Sequence, residues 1–324
     1  MVGTGATVYV RPIDWTWYSA SNSRNSRRSS IAAAGSAAAA AAAMDDVSTT
    51  PMHPRAPSLY VAHGLPSYAL DGYPVAHGLA DAQTYVDMLR SLPEKFAPPK
   101  AIVCMSGHWV TDGAGVKVTS AARPKMIYEF YGFPKELYDV QYPAPGDPSL
   151  AEDIRRLAAE AGTGLHVGDE PNWGLDHGAW TLLVHLFPNA DIPVLELSVD
   201  GHRPAEYYFR LGRQLRSLRD RGVMLMGSGS IVHNLRRLNW GGGPHPWAKA
   251  FNDFVVHHTM KTRDVDALLR YEEAPGGLQS VPEPSHYYPF IFALGASHDD
   301  EERVKLIDWI DNGSNGMTSF SFGV

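Results

Sequence analysis

From Ser58 onward, short apolar runs alternate with longer stretches whose apolar residues recur every three or four positions. The first pattern is that of buried strands and the second that of amphipathic helices. Residues 58–62, 100–105, 192–199 and 222–226 read as strands, and 318–322 as a final edge strand. Helices are expected over 81–92, 148–161, 178–187, 204–221, 246–262, 265–271 and 287–295. Local signals support these bounds: Pro148 opens a first turn, Gly162 follows an end, and Pro188 stops the helix before it. In the helix over 204–221, Tyr207, Tyr208, Leu211, Leu215 and Leu218 share one face.

Short strands alternating with helices predict an α/β fold: one domain over 56–324, with a central, mostly parallel or mixed sheet flanked by helices. In such sheets ligands bind beyond the carboxyl ends of the strands. His63, His108 and His233 fall at or shortly after such ends, so three imidazoles gather at one sheet edge although His63 and His233 are 170 positions apart. Two further histidines stand in short phrases of the same kind. His177 lies between Asp176 and Gly178 at a helix start, where Asp176 either orients the ring or caps the helix. His286 lies between Pro284 and Pro289 beside two tyrosines. The remaining histidines, His185 among them, read as solvated, with His202 and His245 read alternatively as rim residues of the site.

Composition narrows the chemistry. Cys104 is the only cysteine, which excludes an internal disulfide and a cysteine-rich zinc motif, and fits an inert packed thiol in a strand. The net charge of −7 argues against a nucleic-acid partner held by a basic face. No apolar run reaches the roughly 18 residues of a membrane span. With 14 histidines, a transition metal here would be held by imidazole.

Residues 1–55 differ from the rest. Arg24, Arg27 and Arg28 sit among serines, and an alanine-dominated stretch follows from Ile31 to Met44. Three readings compete: a disordered low-complexity extension, a twin-arginine export signal lacking its usual large apolar residue, and an organelle transit peptide. The expected location is cytoplasmic, or exported or organellar where this segment acts as a signal.

Other motif classes are weak. Gly227-Ser-Gly-Ser lacks the spacing of a nucleophile elbow or a phosphate loop, and reads as a tight turn presenting His233. The aromatic group Tyr128, Phe130, Tyr131, Phe133, Tyr138 and Tyr142 reads as a packed loop rather than a substrate platform.

Seven phrases, in order, carry a resemblance: Val61-Ala-His63-Gly, Ser106-Gly-His108-Trp, Ile127-Tyr-Glu-Phe-Tyr-Gly-Phe133-Pro with Leu137-Tyr-Asp, Tyr142-Pro-Ala-Pro-Gly146, Trp173-Gly-Leu-Asp-His177-Gly-Ala-Trp180, Gly227-Ser-Gly-Ser-Ile-Val-His233-Asn-Leu and Pro284-Ser-His286-Tyr-Tyr-Pro289. Over 58–324 the chain resembles the class III extradiol ring-cleavage dioxygenases, within them the 4,5-DOPA extradiol dioxygenase type. The resemblance implies a non-haem Fe(II) site that opens a small catechol such as DOPA with O2, beside its two hydroxyls, to a muconic semialdehyde. It implies His63 and His108 as metal ligands and His233 and His286 as the rest of the metal cluster. His233 also matches a catalytic acid/base, and His177 is implied as a pocket acid/base. An all-imidazole site also suits Zn(II). A neutral imidazole is a suitable base for a catechol hydroxyl near neutral pH. Two alternatives use the same residues: a zinc hydrolase, and a metal-binding protein without catalysis. Nothing in the sequence indicates the oligomeric state.

Overall fold

The computed structural model describes residues 54–160 and 162–324; the 1–55 extension lies almost entirely outside them. Strands β1 (Ser58–Ala62), β2 (Ala101–Thr111), β3 (Val116–Thr119), β4 (Val167–Glu170), β5 (Val194–Asp200), β6 (Val223–Gly229), β7 (Arg303–Ile307) and β10 (Ser319–Phe322) form one sheet in the order β4-β3-β5-β2-β6-β1-β10-β7. Strands β8 (Ile310–Asp311) and β9 (Asn315–Gly316) make a separate short hairpin. The central neighbours β5, β2, β6 and β1 all pair in parallel, and β3 joins β4 in parallel. Antiparallel pairs bind β3 to β5, β1 to β10 and β10 to β7. The sheet is thus mixed and mostly parallel, as the pattern predicts.

Both faces are covered, which is why the central strands read as continuous apolar runs. Alternate residues serve opposite cores. Tyr60, Val103, Met105 and Leu225 face one, with Leu211 and Leu215 of the helix Ala205–Leu215 and Phe290 and Ile291 of the helix Tyr288–Ala296. Leu59, Val61, Ile102, Cys104, Met224 and Met226 face the other, with Tyr85 and Leu89 of the helix Ala80–Ser91 and Leu182 and Leu183 of the helix His177–Leu186. Arg219 is fully buried and staples three segments together. Its guanidinium donates to the carbonyls of Ala56, Ala296 and Phe322 and makes a two-pronged pair with Glu301 at 2.8 Å.

Several expectations need correction. Residues 318–322 are not an edge: β10 lies inside the sheet between β1 and β7, with Phe320 and Phe322 in the core. The edge on this side is β7, whose exposed Lys305 suits a sheet border, while Arg303 is half-buried and donates to the Thr259 carbonyl at 3.0 Å. Strand β2 does not stop at Met105 but runs on to Thr111, so His108 lies within it. Gly227-Ser-Gly is strand rather than turn. His185 is buried, its Nε2 in contact with the Tyr68 carbonyl at 2.8 Å. The helix over 204–221 is α-helical only to Leu215 and continues as a 3-10 turn, and the one over 246–262 ends in a π turn. No helix among the described residues is long and apolar enough to cross a membrane.

Candidate active site

Five imidazoles converge beyond the carboxyl ends of the parallel strands. His63 directly follows β1, and its backbone N–H still pairs with Gly229 of β6. His108 owes its place to an irregularity in β2. Met105 pairs with Leu197 and Val110 with Val199, so five steps on β2 span two on β5. Such a bulge re-aims the side chains within it. His177 opens its helix, which Asp176 caps by accepting from the Ala179 N–H at 3.3 Å. His286 ends the 3-10 turn Pro284–His286, and His233 follows β6, its N–H bonded to the Ser280 carbonyl at 2.8 Å.

Two glycines let the His286 segment reach the sheet. A methyl at Gly107 would lie 3.1 Å from His286 Cα, and one at Gly229 would lie 2.2 Å from the His286 carbonyl oxygen. The Ser230 N–H donates to that same oxygen at 2.9 Å. Gly64 is needed for its conformation instead. At φ +65 it adopts a left-handed turn that places its carbonyl 3.0 Å from His63 Nδ1. A carbonyl only accepts, so the His63 proton sits on Nδ1 and Nε2 carries the lone pair. That Nε2 is buried and has no hydrogen-bond partner among the described residues.

The ring geometry is close. Ligand atoms of His63, His108 and His177 lie within 4.8 Å of one another. His108 Nε2 and His286 Nε2 are 3.3 Å apart. The His233 ring stacks on His286 with centroids 3.7 Å apart and planes 7° from parallel. The donor set fits a metal ion. Two nitrogens each about 2.1 Å from one tetrahedral ion stand about 3.4 Å apart, close to the His108–His286 spacing. The orphaned, buried His63 Nε2 supplies a further donor with nothing else to bind. Imidazole nitrogen suits iron and zinc alike.

Burial keeps these rings neutral. It lowers His63 and His233 to about 3 and His177 to about 4, and holds His108 and His286 well below the usual imidazole range. Carboxyls beneath the site shift the other way. Asp176 is fully buried and lifted to about 7, mainly by burial and then by Glu129; its Oδ1 accepts from Ser106 Oγ at 2.7 Å. Ser106 Oγ in turn accepts from the His108 N–H at 3.2 Å. Glu196 accepts from the Asp176 N–H at 2.7 Å and from Trp173 Nε1 at 3.1 Å, and burial pushes it well above the carboxylate range. This chain fixes His108 and the start of the His177 helix relative to each other. Asp176 thereby does its capping without touching the imidazoles through a directed bond.

Sequence reasoning assigned no role to Glu129. Its Oε1 accepts from the His177 backbone N–H at 3.1 Å and lies 2.5 Å from His177 Nδ1, off the line of a ring N–H. Burial raises its carboxyl to about 7. The only sequence signal is a lone acid between Tyr128 and Phe130 in the aromatic loop. That loop is packed for the most part: Phe130 meets Phe133, Tyr138 and Trp180, and Tyr142 is buried, whereas Tyr131 is 54% exposed. Phe130 also sets its edge against His177 at 5.3 Å. Cys104 is buried in β2, where burial raises its thiol. A surface hollow of about 730 Å3, lined in part by Phe209, Arg213 and Leu269, shares no residue with the cluster.

Residues 57–314 match the family described as the catalytic LigB subunit of aromatic ring-opening dioxygenase. The chain is 39% identical over 273 residues to 4,5-DOPA dioxygenase extradiol of Escherichia coli (strain K12), covering 83% of this chain and 95% of that protein. It is 35% identical over 269 residues to 4,5-DOPA dioxygenase extradiol of Beta vulgaris, covering 82% and 96%. Among solved structures, the uncharacterized protein JW3007 from Escherichia coli K12 superposes with a TM-score of 0.67 at 34% identity, covering 83% of this chain and 100% of that one. With its mixed α/β sheet and its histidine cluster at the strand ends, the chain belongs to the class III extradiol ring-cleavage dioxygenases, the family of the LigB catalytic subunit.

Proposed function

We propose that this enzyme is an Fe(II)-dependent extradiol dioxygenase that opens the ring of a small catechol such as DOPA with O2, giving a muconic semialdehyde of the 4,5-seco-DOPA type. The observation that carries this reading is the buried convergence of five imidazoles, with His108, His177 and His286 packed on His63, whose Nε2 has no hydrogen-bond partner among the described residues, and His233 stacked on His286. The names of the relatives support the substrate class. His63 and His108 would hold the ion, with His233 and His286 completing the cluster. When bound, Fe(II) supplies the redox path between the catechol and O2 that Zn(II), having no accessible redox change, does not. Zn(II) is nevertheless a fit occupant of the same donors.

His177 is the proton-handling residue. Burial keeps its ring neutral, and the adjacent Glu129 offsets the charge that appears when it accepts a proton from a catechol hydroxyl, to be returned later. Glu129 lies 2.5 Å from His177 Nδ1 against 4.0 Å from His108 Nδ1, and it compensates the charge of the protonated His177 ring. His233, stacked on His286, is a second acid/base beside the ligands.

The test is anaerobic loading with Fe(II), then a catechol panel with O2. The expected result is O2 uptake with a yellow ring-opened product. His177→Ala should keep its metal and lose roughly 10²- to 10⁴-fold in kcat. No product and no O2 uptake across the panel overturns the proposal. Hydrolysis of esters or amides with Zn(II), independent of O2, identifies a zinc hydrolase instead. Metal binding with no turnover of any kind identifies a metal-binding protein.

A further inference from the structure

The strand-like segment 125–130 runs beside 173–177. The Ile127 N–H donates to the Leu175 carbonyl and the Leu175 N–H to the Lys125 carbonyl, both at 2.8 Å, around a parallel bridge between Met126 and Leu175. Tyr128 and Phe130 pack on Trp180 at 5.6 and 6.1 Å between ring centroids. Trp180 Nε1 ties down the Ile127 carbonyl at 3.0 Å. Tyr128 and Phe130, partly buried, are therefore anchored against the core, and the residue between the two aromatic rings is delivered to the start of the His177 helix. That residue is Glu129. Its Oε1 meets both the backbone N–H and the Nδ1 of His177, and stands 4.0 Å from His108 Nδ1. Its Oε2 is buried with no hydrogen-bond partner among the described residues.

We propose that Glu129 is a positioning residue for His177: it holds the imidazole proton on Nδ1 and fixes the ring's direction, leaving Nε2 as the nitrogen that meets the substrate. This rests on the reading of His177 as the proton-handling residue. In its ionised form Glu129 only accepts, so its presence at Nδ1 selects one of the two neutral tautomers of His177. The same carboxylate stabilises the ring when it becomes charged, as in other carboxylate-oriented catalytic histidines. The contact is off the axis of the ring N–H, so proximity and charge rather than a directed bond hold the ring. The cost is a carboxylate half-starved of donors, tolerated only because the aromatic anchors leave it no other place.

The experiment compares Glu129→Gln, Glu129→Asp, Glu129→Ala and His177→Ala in the Fe(II)-loaded enzyme, measuring kcat, KM, metal content and melting temperature. Glu129→Gln keeps the shape of the side chain, so it remains informative where Glu129→Ala fails to fold. The expected result is a loss of about 10- to 100-fold in kcat for Glu129→Gln, with KM within about twofold and metal content unchanged. Glu129→Asp should recover part of that loss. Wild-type kcat in Glu129→Gln together with an impaired His177→Ala overturns the positioning role alone. Loss of metal in step with kcat overturns it in favour of a role at the ion. A fully active His177→Ala instead overturns the reading of His177 on which the proposal rests.

Discussion

At His63 the carbonyl of Gly64 decides which nitrogen carries the proton, and the left-handed turn that points this carbonyl requires a residue without a Cβ. At His286 the requirement is space rather than conformation, since the chain crosses β6 where Gly229 leaves room for its carbonyl oxygen. Gly229→Ala forces that crossing outward. It should cost about 1–3 kcal/mol in stability and lower metal occupancy, measured by urea unfolding and by metal analysis of the purified variant. The five histidines were legible in the sequence because each stands in a short phrase rich in glycine, proline or aromatic residues, of the kind that builds turns and close approaches. Glu129 was not legible in the same way. Its function depends on a parallel pairing between Met126 and Leu175, and no local pattern in either segment announces that contact.

Among the elements, the central strands were readable because burial on both faces leaves an unbroken apolar run. Strands β3, β4 and β7 escaped notice because they are short and carry Lys117, Asp169, Arg303 and Lys305 among their apolar positions. The continuation of β2 was hidden by the Ser106-Gly-His108 phrase, which looks like a loop and is a bulge. The start of the His177 helix depends on Asp176, which caps it and receives the Ser106 hydroxyl. Asp176→Ala should lower stability by about 1–2 kcal/mol, read as a shift in the urea midpoint. Asp176→Asn should lose less, because asparagine caps helices equally well and the buried carboxyl gains little from its charge.

For the molecule as a whole, the buried site makes stability depend on pH in a calculable direction. The five histidines have folded pKa values lowered to about 3 or 4, or well below the usual range. The unfolded chain therefore binds their protons first, and stability is lost as pH falls below about 6.5. Asp176, Glu129 and Glu196 are raised, two of them to about 7, so their contribution is present at low pH and lost as pH rises toward neutrality. Outside the site, burial likewise lowers His185 and His298 and raises Asp311, so seven lowered histidines oppose four raised carboxyls. The metal-free protein should lose stability between pH 6.5 and 5, at about 1.4 kcal/mol per pH unit for each uncompensated histidine. Urea midpoints across that range check this, and added metal should raise every midpoint by mass action.

Strand β1 carries His63 at its end, yet one of its two neighbours is β10, and the Ala62 N–H donates to Ser319 Oγ across 257 positions of chain. The register also joins Ser58 to Phe322, where the buried Arg219 holds the Ala56 and Phe322 carbonyls in one hand. Such closure is slow, since long-range pairing incurs the loop entropy before any contact repays it. During synthesis β1 is therefore left without one neighbour until residues 319–322 have emerged. The expected consequence is that metal capture falls at the end of folding rather than its beginning. In refolding with metal present, uptake should come no earlier than the phase in which amides of 319–322 become protected from hydrogen exchange.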